Sequence, residues 1–349
     1  MIESIYPPKL PEWLSSGGED FEVVLASEAV YVRNIDGKAF PNRLNEMELK
    51  DFRRSLVGNI ENTLRAFKLW ETDILRSEDR RFFVERFSAP VEILERPIGA
   101  ALFLSEDESK WLGLNTSDHL QFRVAKGGSD IETAYRNARI IEESLENEVP
   151  FAYSSRYGFL TSRPTECGTA LVLRFYVHIP GVIFTDGFIN LRDKLLKSGT
   201  VLRPLNDESL SSEGHIFIVH TAHTLGIDEE ELLGSAQEML DEIIQMEYEA
   251  RADIMSKARS QIENKIMRGI GILTHARIIA KREGYALANA LRLGAAESII
   301  GDAIDILSAT ELYFVGQPVH LARLTGEGDE LTADTNRAEL FRSYLKQGD

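Results

Sequence analysis

The sequence has 349 residues, of which 43% are hydrophobic and 27% are charged, a composition typical of a globular protein with a sizeable core. Its 56 Asp and Glu residues outnumber its 39 Lys and Arg residues. The resulting net charge of −17 argues against nucleic acid or an anionic membrane as the main partner. Apolar runs fall short of the roughly 18 residues of a membrane span, and the first residues lack the basic-then-apolar order of a signal peptide. The single cysteine, Cys167, excludes an internal disulfide, so we expect a cytoplasmic protein.

In the first half of the chain, short apolar or alternating runs predict strands at 22–26, 91–94, 100–104 and 119–126. Asn45 and Glu48 have the spacing of a capping box, which predicts a helix start. The apolar stripe that follows is Leu49, Phe52, Leu56, Ile60, Leu64 and Phe67. A second helix is predicted after Asp130, with the stripe Ile131, Tyr135, Ala138, Ile141 and Leu145.

The second half of the chain changes in character near residue 226. Strands are predicted at 170–179 and 215–219. Asp228 and Glu231 then form a second capping box, and the sequence is predicted to be helical to about residue 313. The polar, glycine-containing stretch 326–336 predicts a loop, and 337–345 predicts a last short helix.

The expected fold class is α+β. Consecutive strands have short connections, whereas parallel strands need crossovers of a dozen or more residues, so a mainly antiparallel sheet is favoured. Neither GxGxxG nor GxxxxGK[ST] occurs in the sequence. We expect an α+β domain at 1–258 and a helical domain at 259–349.

Residues 159–169, Phe-Leu-Thr-Ser-Arg-Pro-Thr-Glu-Cys-Gly-Thr, resemble the signature of the ATP:guanido phosphotransferase family. Further segments resemble the family in the same order, at 11–14, 27–34, 40–41, 118–120 and 224–226. The helical end resembles the bacterial protein-arginine kinases of this family, at 271–277, 291–294, 317–321 and 334–340. The resemblance therefore extends over essentially the whole chain.

This resemblance implies the guanido-kinase catalytic fold followed by a helical C-terminal domain. It also implies ATP with Mg²⁺ as cofactor and a homodimer. The protein-arginine kinases phosphorylate arginine side chains of proteins and mark them for a Clp-type protease. Protein partners, as arginine or phosphoarginine substrates, and a place in protein quality control are therefore implied as well.

Guanidine phosphorylation needs cations that hold the triphosphate and carboxylates that orient the guanidinium. Carried over by position, four arginines of the family's phosphate clamp fall on Glu28, Val30, Gln121 and Val172. A nucleotide-contacting histidine falls on Phe87, a catalytic carboxylate on Ser117 and a reactive cysteine on Arg163. One clamp arginine is kept as Arg203, and the carboxylate of the same loop is kept as Glu208.

Energies favour a loss of phosphotransfer activity and of most of the ATP site. Removing one preorganised donor from a charge that develops in the transition state costs about 3 kcal/mol, or on the order of 10²–10³ in rate. A carboxylate at position 28 would repel phosphate oxygens at 4 Å by roughly 1–4 kcal/mol. We therefore predict that the chain keeps the fold and binds ATP weakly or not at all.

Two arginines offer an alternative. Arg123 and Arg174 lie two residues after Gln121 and Val172, so each shares a strand face with the lost position. They are either a relocated clamp or ordinary ion-paired arginines.

In the C-terminal part, Asp334 and Arg337 match the phosphoarginine-binding motif of the protein-arginine kinases, although its leading arginine is missing. The alternative is that Asp334 is a helix N-cap with Arg337 exposed one turn later.

The expected function is a protein-arginine-kinase-like pseudokinase or very weak kinase that acts as a regulator or adaptor. The alternatives are an active kinase with relocated arginines and a dimeric scaffold without a ligand. His220 and His223 have metal-ligand spacing but no predicted third ligand, so no metal site is expected. Cys167 and His119 are expected to be structural.

Overall fold

The computed structural model describes residues 10–185, 187–205, 214–326 and 328–345. Its main feature is an eight-stranded sheet in the order β2-β3-β4-β5-β1-β8-β10-β9, in which every neighbouring pair is antiparallel. Its strands are β1 (Val24–Arg33), β2 (Phe67–Glu71), β3 (Ala101–Ser105), β4 (Lys110–Leu114), β5 (Leu120–Gly127), β8 (Leu171–His178), β9 (Thr200–Pro204) and β10 (Ile216–Thr221). A separate hairpin consists of β6 (Tyr153–Ser154) and β7 (Gly158–Phe159).

Helices surround the sheet and continue past it. The helices before residue 258 are α1 (Glu12–Ser15), α2 (Glu46–Thr63), α3 (Ser77–Glu85), α4 (Glu92–Glu95), α5 (Ile131–Glu146), α6 (Pro180–Phe184), α7 (Phe188–Lys197) and α8 (Glu229–Lys257). The later ones are α9 (Arg259–His275), α10 (Lys281–Ala296), α11 (Ile306–Val315), α12 (Pro318–Thr325) and α13 (Glu330–Ser343). No helix within the described ranges is long and apolar enough to cross a membrane.

One face of the sheet is covered by α2, α5 and α8, which form the larger hydrophobic core with it. Side chains alternate along a strand, so Tyr31, Phe122 and Leu173 point into this core while their chain neighbours point to the opposite face. On that opposite face, Trp13 and Tyr176 belong to a second core that includes α9, α10, α11 and α13. A cleft lies over the middle of this opposite face.

Buried polar side chains join the helical part to the sheet part. The Arg292 guanidinium in α10 donates to the carbonyls of Phe21 and Glu22 and contacts His178 Nδ1. Arg86, which follows α3, pairs with Glu108 at 2.6 Å and contacts His320 of α12 at 2.9 Å. Because buried polar groups need partners, these contacts fix the helical part against the sheet.

The antiparallel α+β fold is confirmed. Asn45 and Glu48 form the predicted capping box, and Asp130 and Asp228 cap α5 and α8. Three predictions are wrong. The predicted stripe ends before Phe67, because α2 ends at Thr63 and Phe67 begins β2. The 91–94 segment contains part of α4, and the true partners of β3 are β2 and β4, which were not predicted. The predicted loop at 326–336 ends early, because Asp329 accepts a hydrogen bond from Thr332 N and starts α13 at Glu330.

Candidate active site

A cleft of about 690 Å³ lies over the face of the sheet opposite the larger core. Cross-strand register sets its floor, because directly opposed residues of antiparallel strands share a face. Val30 of β1 lies opposite Arg123 of β5 and Val172 of β8. Glu28, in the next row, lies opposite Arg174, which in turn lies opposite His220. The sheet thus brings candidate site residues from three distant segments of the chain into one cleft.

Glu28 is the centre of a buried ion-pair cluster. Its Oε1 accepts from Arg123 Nη1 at 2.8 Å, and its Oε2 accepts from Arg174 Nη1 at 3.2 Å. The Glu28 side chain is 0% exposed, the Arg123 side chain 1% and the Arg174 side chain 24%. Arg123 also donates to the carbonyls of Phe87 and Glu108. Both arginines that could form a relocated clamp are therefore already paired with one carboxylate.

The other positions at which the resemblance predicts a lost clamp arginine are apolar or neutral. Val30 and Val172 are buried side by side in the floor, and Gln121 lies at the end of the floor beyond them. Phe87 packs edge-to-face on Tyr176 at a ring distance of 5.3 Å and on Phe314 of α11 at 5.9 Å. The residue at the family's histidine position is thus part of the junction with the helical part.

Ser117 and Arg163 converge on a carboxylate that was not predicted. The Ser117 hydroxyl donates to Glu92 Oε1 at 3.4 Å, and Arg163 Nη2 lies 3.5 Å from the same oxygen. Arg163 also pairs with Glu166 at 3.0 Å, and its side chain is 56% exposed. Glu92 belongs to α4, a segment predicted as a strand, so sequence spacing gave no signal for its position.

Arg203, the clamp arginine predicted to be kept, lies at the edge of the sheet. Arg203, on edge strand β9 opposite Ile218, lines the cleft and is exposed. Across the described ranges, no carboxylate lies within ion-pair distance of Arg203. Glu208 lies outside the described residues.

Asp334 and Arg337 lie within α13 and contact each other. Arg337 is 3% exposed and donates to the carbonyls of Gly316 at 3.1 Å and Ile279 at 2.8 Å, as well as to Asp334. The alternative of an Asp334 N-cap with an exposed Arg337 is wrong, because Asp329 caps the helix and Arg337 is buried.

The lesser candidates have ordinary surroundings. His220 faces the cleft, where burial lowers its pKa to about 4, so the ring is neutral near pH 7. The buried His119 ring stacks on Phe52 at 4.4 Å. Cys167 is half-buried beside Thr161. Within the described ranges, no three His, Cys, Asp or Glu side chains are grouped so as to hold a metal ion.

Solved structures define the class of fold. The substrate-free duplicated taurocyamine kinase from Schistosoma mansoni matches with a TM-score of 0.58 at 16% identity, over 78% of this chain and 41% of that chain. A lombricine kinase matches with a TM-score of 0.57 at 14% identity, over 71% of this chain and 72% of that chain. The fold is therefore that of the guanidino kinases.

Sequence comparisons give the family. The profile described as "ATP:guanido phosphotransferase, C-terminal catalytic domain" matches residues 49–250, and the "Protein-arginine kinase McsB C-terminal domain" matches 259–349. The protein-arginine kinase of Symbiobacterium thermophilum is 30% identical over 95% of this chain and 96% of its own length. The protein-arginine kinase of Bacillus cereus strain AH187 is 30% identical over 99% of this chain and 98% of its own length. The chain belongs to the ATP:guanido phosphotransferase family, as a protein-arginine-kinase-like member.

Proposed function

We propose that this chain is a pseudokinase, or at most a very weak kinase, that acts as a regulator or adaptor in protein quality control. The observation that carries the proposal is the Glu28 carboxylate, buried between Arg123 and Arg174 where the family has clamp arginines. A carboxylate there repels phosphate and at the same time occupies the two guanidinium groups nearest to it.

The family name implies ATP, but the residues of this cleft fit a triphosphate poorly. Among the described residues, three guanidinium groups, those of Arg123, Arg174 and Arg203, line that part of the cleft, and one carboxylate, that of Glu28, opposes them. A triphosphate carries about four negative charges and is normally held by arginines and a metal ion together. Weak or absent ATP binding, with or without Mg²⁺, follows from this deficit of positive charge.

One observation favours the alternative of an active kinase that transfers phosphate to protein arginine. Arg123, Arg174 and Arg203 all line the same cleft, so a rearranged Glu28 would release two of them toward a nucleotide. Under this alternative, Arg174→Ala would abolish activity.

The proposed role as a regulator needs protein partners. The matched relatives are named protein-arginine kinases, which supports proteins bearing arginine or phosphoarginine as partners, and a Clp-type protease system and a homodimer belong to the same proposal. Phosphoarginine binding by Asp334 and Arg337 remains part of it. A phosphate would have to replace Asp334 on the Arg337 guanidinium, because that arginine is already bonded to two carbonyls as well. A dimeric scaffold that binds no ligand is the remaining alternative.

A phosphotransfer assay tests the proposal. The full chain is incubated with radiolabelled ATP, Mg²⁺ and an arginine-rich protein, beside one of the matched protein-arginine kinases as positive control. We expect no label above a blank without enzyme. Label that disappears in Arg174→Ala but persists in Arg268→Ala, an exposed arginine on α9, would overturn the pseudokinase proposal in favour of the active kinase.

A further inference from the structure

The cleft that the substitutions leave behind has the size and lining of a small-molecule site. Its volume of about 690 Å³ falls within the roughly 300–1,000 Å³ typical of ligand pockets. Its floor is apolar at the centre, where Val30, Val32 and Val172 adjoin, and Trp111 and Phe87 line it as well. Such walls favour an apolar body over the polar backbone of a polyphosphate.

Among the residues that the structure describes, one end of the cleft has an excess of positive charge. At the other end, Glu92 and Glu166 share the single guanidinium of Arg163, so that end is negative. The Glu28 carboxylate lies near three guanidinium groups. Two are those of Arg123 and Arg174, which it contacts. The third is that of Arg203 on β9, two strands from Arg174 and two residues past the position in register with it. The remaining cleft carboxyl group, Glu85, has its pKa raised to about 7 by burial, so it is often neutral. The excess suits a single anionic group.

Four residues that line the cleft each have a buried polar atom without a hydrogen-bond partner in the described part of the chain. These atoms are Trp111 Nε1, Gln121 Oε1, Arg123 Nε and Arg174 Nε. A buried polar atom without a partner is unfavourable, because it has lost its hydrogen bond to water. All four residues line the cleft, so polar groups with unused hydrogen-bonding capacity lie directly beneath the surface that a ligand would cover.

We propose that the cleft binds a small organic monoanion: a carboxylate, sulfonate or monophosphate group between Arg174 and Arg203, on an apolar body that covers Val30 and Val172. This inference rests on the proposed function, because the same cleft would have given up the triphosphate. The inference adds the chemical class of the ligand that would replace the triphosphate. Charge complementarity selects the anion, and the valine floor selects the body.

A matched pair of fluorescent probes tests the proposal on the full chain. 8-Anilinonaphthalene-1-sulfonate (ANS) carries one sulfonate on an aromatic body, and N-phenyl-1-naphthylamine has the same body without the charge. We expect saturable one-to-one binding of ANS, about tenfold tighter than that of the neutral probe, since charge-assisted hydrogen bonds are the strong ones. Arg203→Gln should remove most of this difference and leave the neutral probe unchanged. Val172→Thr should weaken both probes.

The control is Ile189→Thr, an exposed position on α7 outside the cleft, which should change neither probe. Near-ultraviolet circular dichroism verifies that each variant is folded. Non-saturable ANS binding, equal affinity for the two probes, or an ANS affinity unchanged by Arg203→Gln would overturn the inference. Micromolar ATP binding would instead overturn the proposed function, whichever probe binds, so the two failures are distinguishable.

Discussion

Glu28 and Arg123 form an ion pair of 2.8 Å between neighbouring strands, with 0% and 1% of their side chains exposed. They are not directly opposed, because Glu28 faces Ala125 and Arg123 faces Val30. The pair is diagonal, and the length of the arginine side chain spans the extra distance. With Arg174 on the other side, the Glu28 carboxylate is held between two guanidinium groups in the cleft floor.

Removing this anion should destabilise the fold. Glu28→Gln leaves two largely buried guanidinium groups without their carboxylate, and breaking a buried pair in this way costs about 3–5 kcal/mol. Urea unfolding measures the change in the free energy of unfolding. The matched control is Glu166→Gln, whose partner Arg163 is 56% exposed, and which should cost less than about 1 kcal/mol. Similar losses in the two variants would contradict this account.

The same variant should bind ATP better than the parent chain. Glu28→Gln removes a repulsion of roughly 1–4 kcal/mol and releases Arg123 and Arg174, so we expect ATP affinity to rise about tenfold or more. Calorimetric titration at low temperature, where the variant remains folded, measures this. Glu78→Gln, at an exposed position of α3 outside the cleft, serves as control and should leave ATP affinity unchanged. An unchanged affinity in Glu28→Gln would show that the carboxylate is not what limits ATP binding.

A single sequence encodes local features of the site well, but it does not encode strand order or register. The capping box of Asn45 with Glu48 is a local feature, and the sequence predicts it. The short apolar run at 91–94 fits a strand and a helix equally well, and with the wrong choice Glu92 was missed. The faces of Arg123 and Arg174 were predictable from alternation, but their pairing with Glu28 depends on strand order and register, which spacing does not determine.

Glu85 should make stability depend on pH. Burial raises its pKa to about 7, although the amides of Val319 and His320 donate to its carboxylate and favour the charged form. Because the folded state binds this proton more tightly than the unfolded state does, the protonated carboxyl is favoured at low pH. The contribution of Glu85 to stability therefore falls as pH rises from about 4.5 to about 7.

Comparison of Glu85→Gln with the parent chain isolates this effect. The variant should be more stable by about 2–3 kcal/mol at pH 8, and the difference should shrink toward zero at pH 5. Unfolding curves at both pH values provide the measurement. Glu78→Gln, an exposed residue of the same helix α3, should show no such pH dependence. A constant difference between pH 5 and pH 8 would exclude the raised pKa.

Arg337 should be important for the stability of the helical part. Its guanidinium joins α13 to the carbonyls of Gly316 and Ile279 and to Asp334, so Arg337→Ala should lower the free energy of unfolding by about 3 kcal/mol. Arg268→Ala on exposed α9 surface should change it by less than about 0.5 kcal/mol. Thermal unfolding of both variants makes the comparison. Equal unfolding midpoints in the two variants would mean that the Arg337 contacts do not stabilise the fold. The Arg337 guanidinium would then be available to bind phosphoarginine.

The most direct test of the central claim is a calorimetric titration of the purified chain with ATP, with and without Mg²⁺. A buried Glu28 that occupies Arg123 and Arg174 predicts millimolar affinity or no detectable heat under both conditions. Micromolar binding would contradict the account. It would mean that the two arginines leave Glu28 for the triphosphate and that the clamp has moved along its strands.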